Sequence, residues 1–247
     1  MLKFDIYQMA QASGLTEANI VMLMNRMPEL FPDDQVAKGH GKKRCVSVNG
    51  LRRVAFVGAI ASIGVGPTQA AKFVITFLDT LSLRHWATSC LDPISPEKAR
   101  RETDRFFLGG NFTKMAFFNC IFCDGFVDYS NEKLSHKEID DITFNSVMEF
   151  MEKDEKYDLY EEKNGDVILT ISDGCYVTVN IKEESEFIEA FQMKGWERGA
   201  DLIFKDIFKM EDKDDISSTM ELIKNCSVKI LINLSAITRQ AYMRSVL

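Results

Sequence analysis

The stretch Asp5-Ile-Tyr-Gln-Met-Ala-Gln-Ala-Ser-Gly-Leu-Thr-Glu-Ala-Asn-Ile-Val-Met-Leu-Met-Asn-Arg-Met27 reads as two short helices about one glycine. Ile6, Met9 and Ala10 share one face of the first, over about residues 5–12. Gly14 breaks it, because glycine adopts the left-handed backbone of a helix end without steric cost. Thr16 can cap a second helix that runs to about Met27, where Pro28 forbids continuation. Two short helices joined by a glycine-containing turn are the sequence form of a helix-turn-helix.

Downstream, residues 35–48 place two extended arms about Gly39-His40-Gly41, which predicts a β-hairpin with Lys42, Lys43 and Arg44 on its return strand. A third helix is expected from Asn49 to Ile63, with Leu51, Val54, Ala55, Gly58 and Ala59 at helical spacing. Gly64-Val-Gly-Pro67 ends it, and Pro67 opens a fourth helix to about Leu81. Pro93 and Pro96 lie in the expected boundary, dividing the chain into residues 1–90 and 97–247.

Past the boundary, Glu97 to Phe107 looks helical, and Asn111 to Tyr129 is ambiguous between strand and helix. Ser135-His-Lys-Glu138 is a capping box for a helix to about Lys153. Residues 157–181 carry the clearest strand signal, alternating about the hairpin turn Asp173-Gly174. Helices are expected within 184–224, a strand over 228–234 and a last helix from Ser235 to Ser245. The apolar stretch 230–247 reads as a strand and helix that close the second domain's sheet, with a docking surface as the alternative. The expected class is α+β: an N-terminal winged helix-turn-helix domain followed by a separate α+β domain.

Charge is unevenly placed. Residues 1–90 hold ten Lys/Arg and six Asp/Glu, whereas residues 91–247 hold twenty and thirty-one, giving +4 and −11 within a net charge of −7. A basic working module joined to an acidic body is the natural reading. Met1-Leu-Lys-Phe-Asp5 shows no basic stretch followed by an apolar run, and the longest apolar stretch, Val54 to Gly66, is too short to span a bilayer. A soluble cytoplasmic protein with reduced thiols is expected, with no membrane partner.

The order helix, turn, helix, basic hairpin, helix, Gly-Pro turn, helix resembles the DNA-binding domain of the MerR family. Ile6-Tyr-Gln-Met-Ala10, Ser13-Gly-Leu-Thr16, the strand exit from Arg44 to Asn49, and the helix from Leu51 to Gly64 carry the likeness, over about a third of the chain. The resemblance implies that the helix after Gly14 enters the major groove of duplex DNA while the wing and the following helix grip phosphates. Thr16, Asn25 and Arg26 would then belong to the reading helix, and Lys42, Lys43, Arg44, Arg52 and Arg53 to the phosphate grip. Asn25 can pair with adenine, whereas Ala18, Val21 and Met22 offer at most contacts to thymine methyls. The chain departs from the family in lacking an Arg-Tyr pair in the reading helix and a long dimerisation helix after the fourth. A transcription regulator or mobile-element accessory factor is the leading expectation. The alternative is a protein-interaction module with a repurposed winged helix, and residues 97–247 offer a surface for a protein partner or self-association.

Other chemistry is sparse. Cys120-Ile-Phe-Cys123 lies among Phe117, Phe118, Phe122 and Phe126, which favours a buried pair. His136 could join it as a third ligand, but structural zinc needs four. His40 and His85 are isolated, and no nucleophile-base constellation or phosphate loop is present. The acidic runs 152–155 and 211–215 read as solvated surface. No enzyme activity, cofactor or metal is expected.

Overall fold

The computed structural model describes residues 2–31, 34, 43–82, 141, 144, 145, 148, 166–181, 189–195, 202–207 and 213–247. The chain is a mixture of helices and antiparallel sheet, in the α+β class. Strand β1 (Phe4–Asp5) leads into α1 (Ile6–Ser13) and α2 (Glu17–Arg26). A 3-10 turn (Pro28–Leu30) follows, then β2 (Cys45–Val46), α3 (Val48–Ser62) and α4 (Pro67–Ser82).

Each early helix ends where its sequence says it should. Asp5 Oδ1 accepts the Gln8 backbone N–H at 3.0 Å while Gln8 Oε1 accepts that of Asp5 at 2.9 Å, closing a capping box on α1. Gly14, at φ +70°, stops α1, and its N–H reaches the Ala10 carbonyl at 2.9 Å. The Thr16 hydroxyl accepts the Asn19 N–H at 3.2 Å and starts α2. Met9, Ala12, Ile20, Leu23 and Met27 are buried, whereas Ile6 and Ala10, expected on the face of Met9, are half-buried.

Asp34 fixes the start of α3. Its carboxylate accepts the Ser47 N–H at 2.9 Å and the Ser47 hydroxyl at 3.0 Å, and it pairs with Lys3 Nζ at 2.9 Å. Gly58 lets α3 cross α1 closely, since a Cβ there would strike the Ser13 carbonyl.

The second half supplies β3 (Val167–Ser172), β4 (Tyr176–Ile181), β5 (Glu189–Lys194) and β6 (Ile203–Asp206). Helix α5 (Lys213–Lys224), strand β7 (Lys229–Asn233) and helix α6 (Leu234–Arg244) complete it. The sheet order is β6-β5-β4-β3-β7, every pair antiparallel. Asp173 and Gly174 both have positive φ, 48° and 65°, at the predicted hairpin turn. Asp173 Oδ1 also accepts the Val228 N–H at 2.7 Å, tying the turn to the loop before β7. The terminal stretch closes the sheet as expected, with β7 beside β3.

One expectation changes. Residues 184–224 include strands β5 and β6 as well as a helix. On β5, Phe191 and Met193 enter the main core while Ala190 packs with Ile207 and Ile223 on the opposite face. The alternation Phe191-Gln-Met-Lys194 on β5 is a strand signal that the helical expectation passed over. The described residues on both sides of the expected boundary contribute to one core. One apolar cluster runs from Phe4, Leu51 and Phe73 to Leu169, Phe191 and Tyr242. Helix α6 packs on α1 and α3, and Gln8 Nε2 donates to the Ser245 carbonyl at 2.9 Å. Phe73 and Phe77 of α4 meet Phe204 and Phe191 edge-on, with centroids 5.4 and 6.2 Å apart.

One buried ion pair lies within the second half. Arg239 of α6 and Asp166, just before β3, both have fully buried side chains and are joined by two hydrogen bonds of 2.8 and 3.0 Å. Asn233 donates to the same carboxylate at 2.8 Å. Strand, helix cap and terminal helix are thereby joined through one carboxylate.

Candidate nucleic-acid interface

Helix α2 presents its outward side much as the spacing predicts. Thr16, Ala18, Asn25 and Arg26 are exposed, and Val21 and Met22 are half-buried. Thr16 and Arg26 lie at opposite ends of the helix, about 15 Å apart along its axis. Met22 accepts a weak hydrogen bond from the Thr68 hydroxyl at 3.7 Å, so its sulfur leans toward α4. Asn25 is the residue on this side best equipped to read a base edge.

Of the expected wing hairpin, the described residues include the end of the return strand. Strand β2 pairs with β1, Phe4 opposite Val46 and Asp5 opposite Cys45. The first arm and Lys42 lie outside the described residues. Lys43 and Arg44 therefore sit beside the start of α1, around a surface cleft of about 370 Å³ lined also by Asp5, Ile6 and Tyr7.

Lys43 is exposed, and its Nζ pairs with Asp5 Oδ2 at 3.0 Å. That hydrogen bond raises the Lys43 pKa. The Gln8 backbone N–H and then Lys43 hold the Asp5 carboxyl below its ordinary range. Arg44 is half-buried, and its Nη1 has no hydrogen-bond partner among the described residues. Tyr7, 57% exposed, completes the rim.

Arg52 and Arg53 require a correction. They are 4% and 3% exposed, so neither reaches a phosphate on the surface. The cause is the place of α3, which lies between α1, α4 and α6 with twelve of its fifteen residues buried. Arg52 Nη2 reaches Asn49 Oδ1 at 3.5 Å. Adjacent charges in a sequence mark a surface only if the helix has a wet side, and α3 has almost none.

The expected cysteine pair Cys120 and Cys123 and all three histidines lie outside the described residues. Among the described residues no three His, Cys, Asp or Glu side chains converge as metal ligands, and no helix is long and apolar enough to cross a membrane.

Sequence reasoning missed the second opening on the molecule. A cleft of about 760 Å³ lies between the α1–α2 turn, the C-terminal half of α3, and β7 with α6. Only the exposed Leu231 and the apolar terminal stretch hinted at it, and the walls come from three distant segments. The chain matches no known protein family, no curated protein and no solved structure.

Proposed function

We propose that the chain is a DNA-binding protein, a regulator or mobile-element accessory factor of MerR-like type, that holds duplex DNA with α2 and the Lys43 rim. The observation that carries this reading is which sides of the early helices are covered. The acidic second half packs through α6 against α1 and α3, whereas Thr16, Ala18, Asn25 and Arg26 of α2 stay exposed. A nucleic acid can thus approach the reading helix without displacing the body of the protein.

In this reading Asn25 contacts a base edge, Thr16 and Arg26 contact the backbone at either end of α2, and Lys42, Lys43 and Arg44 supply wing contacts to phosphate. Arg52 and Arg53 stabilise the scaffold instead. About four phosphates are neutralised, so log affinity falls with log salt with a slope on the order of −3 to −4. With one base-reading amide, sequence discrimination is shallow and backbone contact supplies most of the affinity. No reaction is assigned.

Fluorescence anisotropy with random duplex DNA at two salt concentrations tests the proposal. Binding with that slope supports it, as does a uniform weakening across sequences when Lys42, Lys43 and Arg44 become Ala. Absence of any binding at low salt removes it. The alternative, a protein-interaction module, is favoured by one observation: the Lys43 charge is already paired with Asp5.

A further inference from the structure

The smaller opening, between the start of α1 and β2, holds more than cations. Strand β2 runs antiparallel to β1 with Asp5 opposite Cys45, so the two residues before it pass beside the first turn of α1. Lys43 and Arg44 thus share a cleft of about 370 Å³ with Asp5, Ile6 and Tyr7.

Charge in this cleft is unbalanced. Two cations accompany one carboxylate, and Asp5 is already committed to Lys43 at 3.0 Å. Arg44 has no acidic partner among the described residues, and its Nη1 is shut off from solvent without an acceptor. A sheltered donor left unpaired is unfavourable, so the guanidinium favours an anion brought by a ligand.

Tyr7 adds a different chemistry. Its ring is 57% exposed, and among the described residues it has neither an aromatic neighbour nor a hydrogen bond from its hydroxyl. Ile6 beside it is half-buried and gives the cleft an apolar side. A phosphate gains nothing from an aromatic face. A nucleobase does, because every base has a π-face that can stack on tyrosine whatever its identity. A base inside the duplex is already stacked on its neighbours and must leave them to reach such a ring.

We propose that the cleft takes one unpaired nucleotide, its base stacked on Tyr7 and its phosphate held by Lys43 and Arg44. This rests on the DNA-binding reading above and names the form of DNA that suits the site: a duplex with a fork, a frayed end or an overhang. The size agrees. A volume of about 370 Å³ lies at the lower end of the range for small-molecule pockets, about 300–1,000 Å³, and suits one nucleotide better than several. Helix α2, with Asn25 as its base-reading group, discriminates weakly by sequence, so preference for an unpaired base supplies selectivity of another kind.

Fluorescence anisotropy of the full chain with two labelled DNAs of equal length tests the proposal. One is a blunt hairpin duplex, and the other is the same duplex opened at one end into a fork. The fork should bind at least about fivefold more tightly, the lower bound of what stacking one base on an aromatic ring contributes. Tyr7→Ala should remove that preference while leaving affinity for the blunt duplex within about twofold of the parent. Tyr7→Phe keeps the ring and should keep the preference. A fluorescent adenine analogue in the unpaired arm should be quenched by the parent and by Tyr7→Phe but not by Tyr7→Ala, a signal that phosphate contact alone leaves unmoved. Tyr7 is exposed, so an unchanged melting curve for Tyr7→Ala shows that its fold is kept. Equal affinity of the parent for fork and blunt duplex overturns the inference and leaves the DNA-binding reading standing. An unquenched analogue on the parent, or a Tyr7→Ala variant that still prefers the fork, has the same effect. Absence of binding to both DNAs removes the DNA-binding reading and the inference together.

Discussion

Lys43 and Arg44 lie within ten residues of Arg52 and Arg53, yet the two pairs end in opposite environments. The first pair occupies a surface rim beside β1, and the second lies inside a helix packed on several sides. A third case, Arg239, is buried too, with a carboxylate held in bidentate geometry. The chemical groups are alike, so their surroundings alone separate a binding cation from a structural one. A buried charge costs several kcal/mol unless paired, whereas an exposed one costs almost nothing and can be lent to a ligand.

The contrast can be broken most violently at Asp166. Asp166→Ala leaves the Arg239 charge buried with its main partner gone, and should destabilise the fold by about 3–5 kcal/mol in urea unfolding. Arg53→Ala comes next, with an expected loss of about 1–3 kcal/mol from lost packing and stranded polar partners. Its salt slope for DNA should match that of the parent. A reduced slope would put Arg53 back at the interface.

The exposed pair should behave the other way round. Lys43→Ala should leave the melting temperature unchanged while weakening DNA binding severalfold and flattening the salt slope by about one. Asp5→Ser is the gentlest probe. Serine also caps helices, so α1 persists while Lys43 is released, and affinity for DNA should rise severalfold at low salt. The sign of the pH dependence agrees. The Asp5 carboxyl lies below its ordinary value of 3.8, so its contribution is present above that pH and fades as pH falls through the lower folded value. A melting temperature that declines already near pH 6 through Asp5 would contradict this assignment.

These contrasts also mark how far the sequence could be read. The early helices were legible because each carries its own punctuation: Gly14, Thr16, Pro28 and Pro67 act locally, and local rules suffice for them. The Asp173-Gly174 hairpin was legible for the same reason. Strands β5 and β6 were not: β5 carries only a four-residue alternation, and β6, with Ile203 59% exposed, takes its identity from pairing with β5. The candidate site divides along the same line. Exposure of Thr16, Asn25 and Arg26 follows from the periodicity of a helix with one wet side. Burial of Arg52 and Arg53 follows from the packing of α3 among α1, α4 and α6, the last of which lies nearly two hundred residues further along the chain. The pairing of Lys43 with Asp5 depends on β1 meeting β2, which no spacing within either segment announces.

The hydrogen bond from Gln8 to the carbonyl of Ser245 spans 237 positions, and around it α1, α3 and α6 interlock. Closing so long a loop carries an entropic cost before its contacts can compensate. During synthesis α1 and α3 stay incompletely covered until α6 has left the ribosome. Chaperone demand should therefore fall on the nascent segment from α1 to α3.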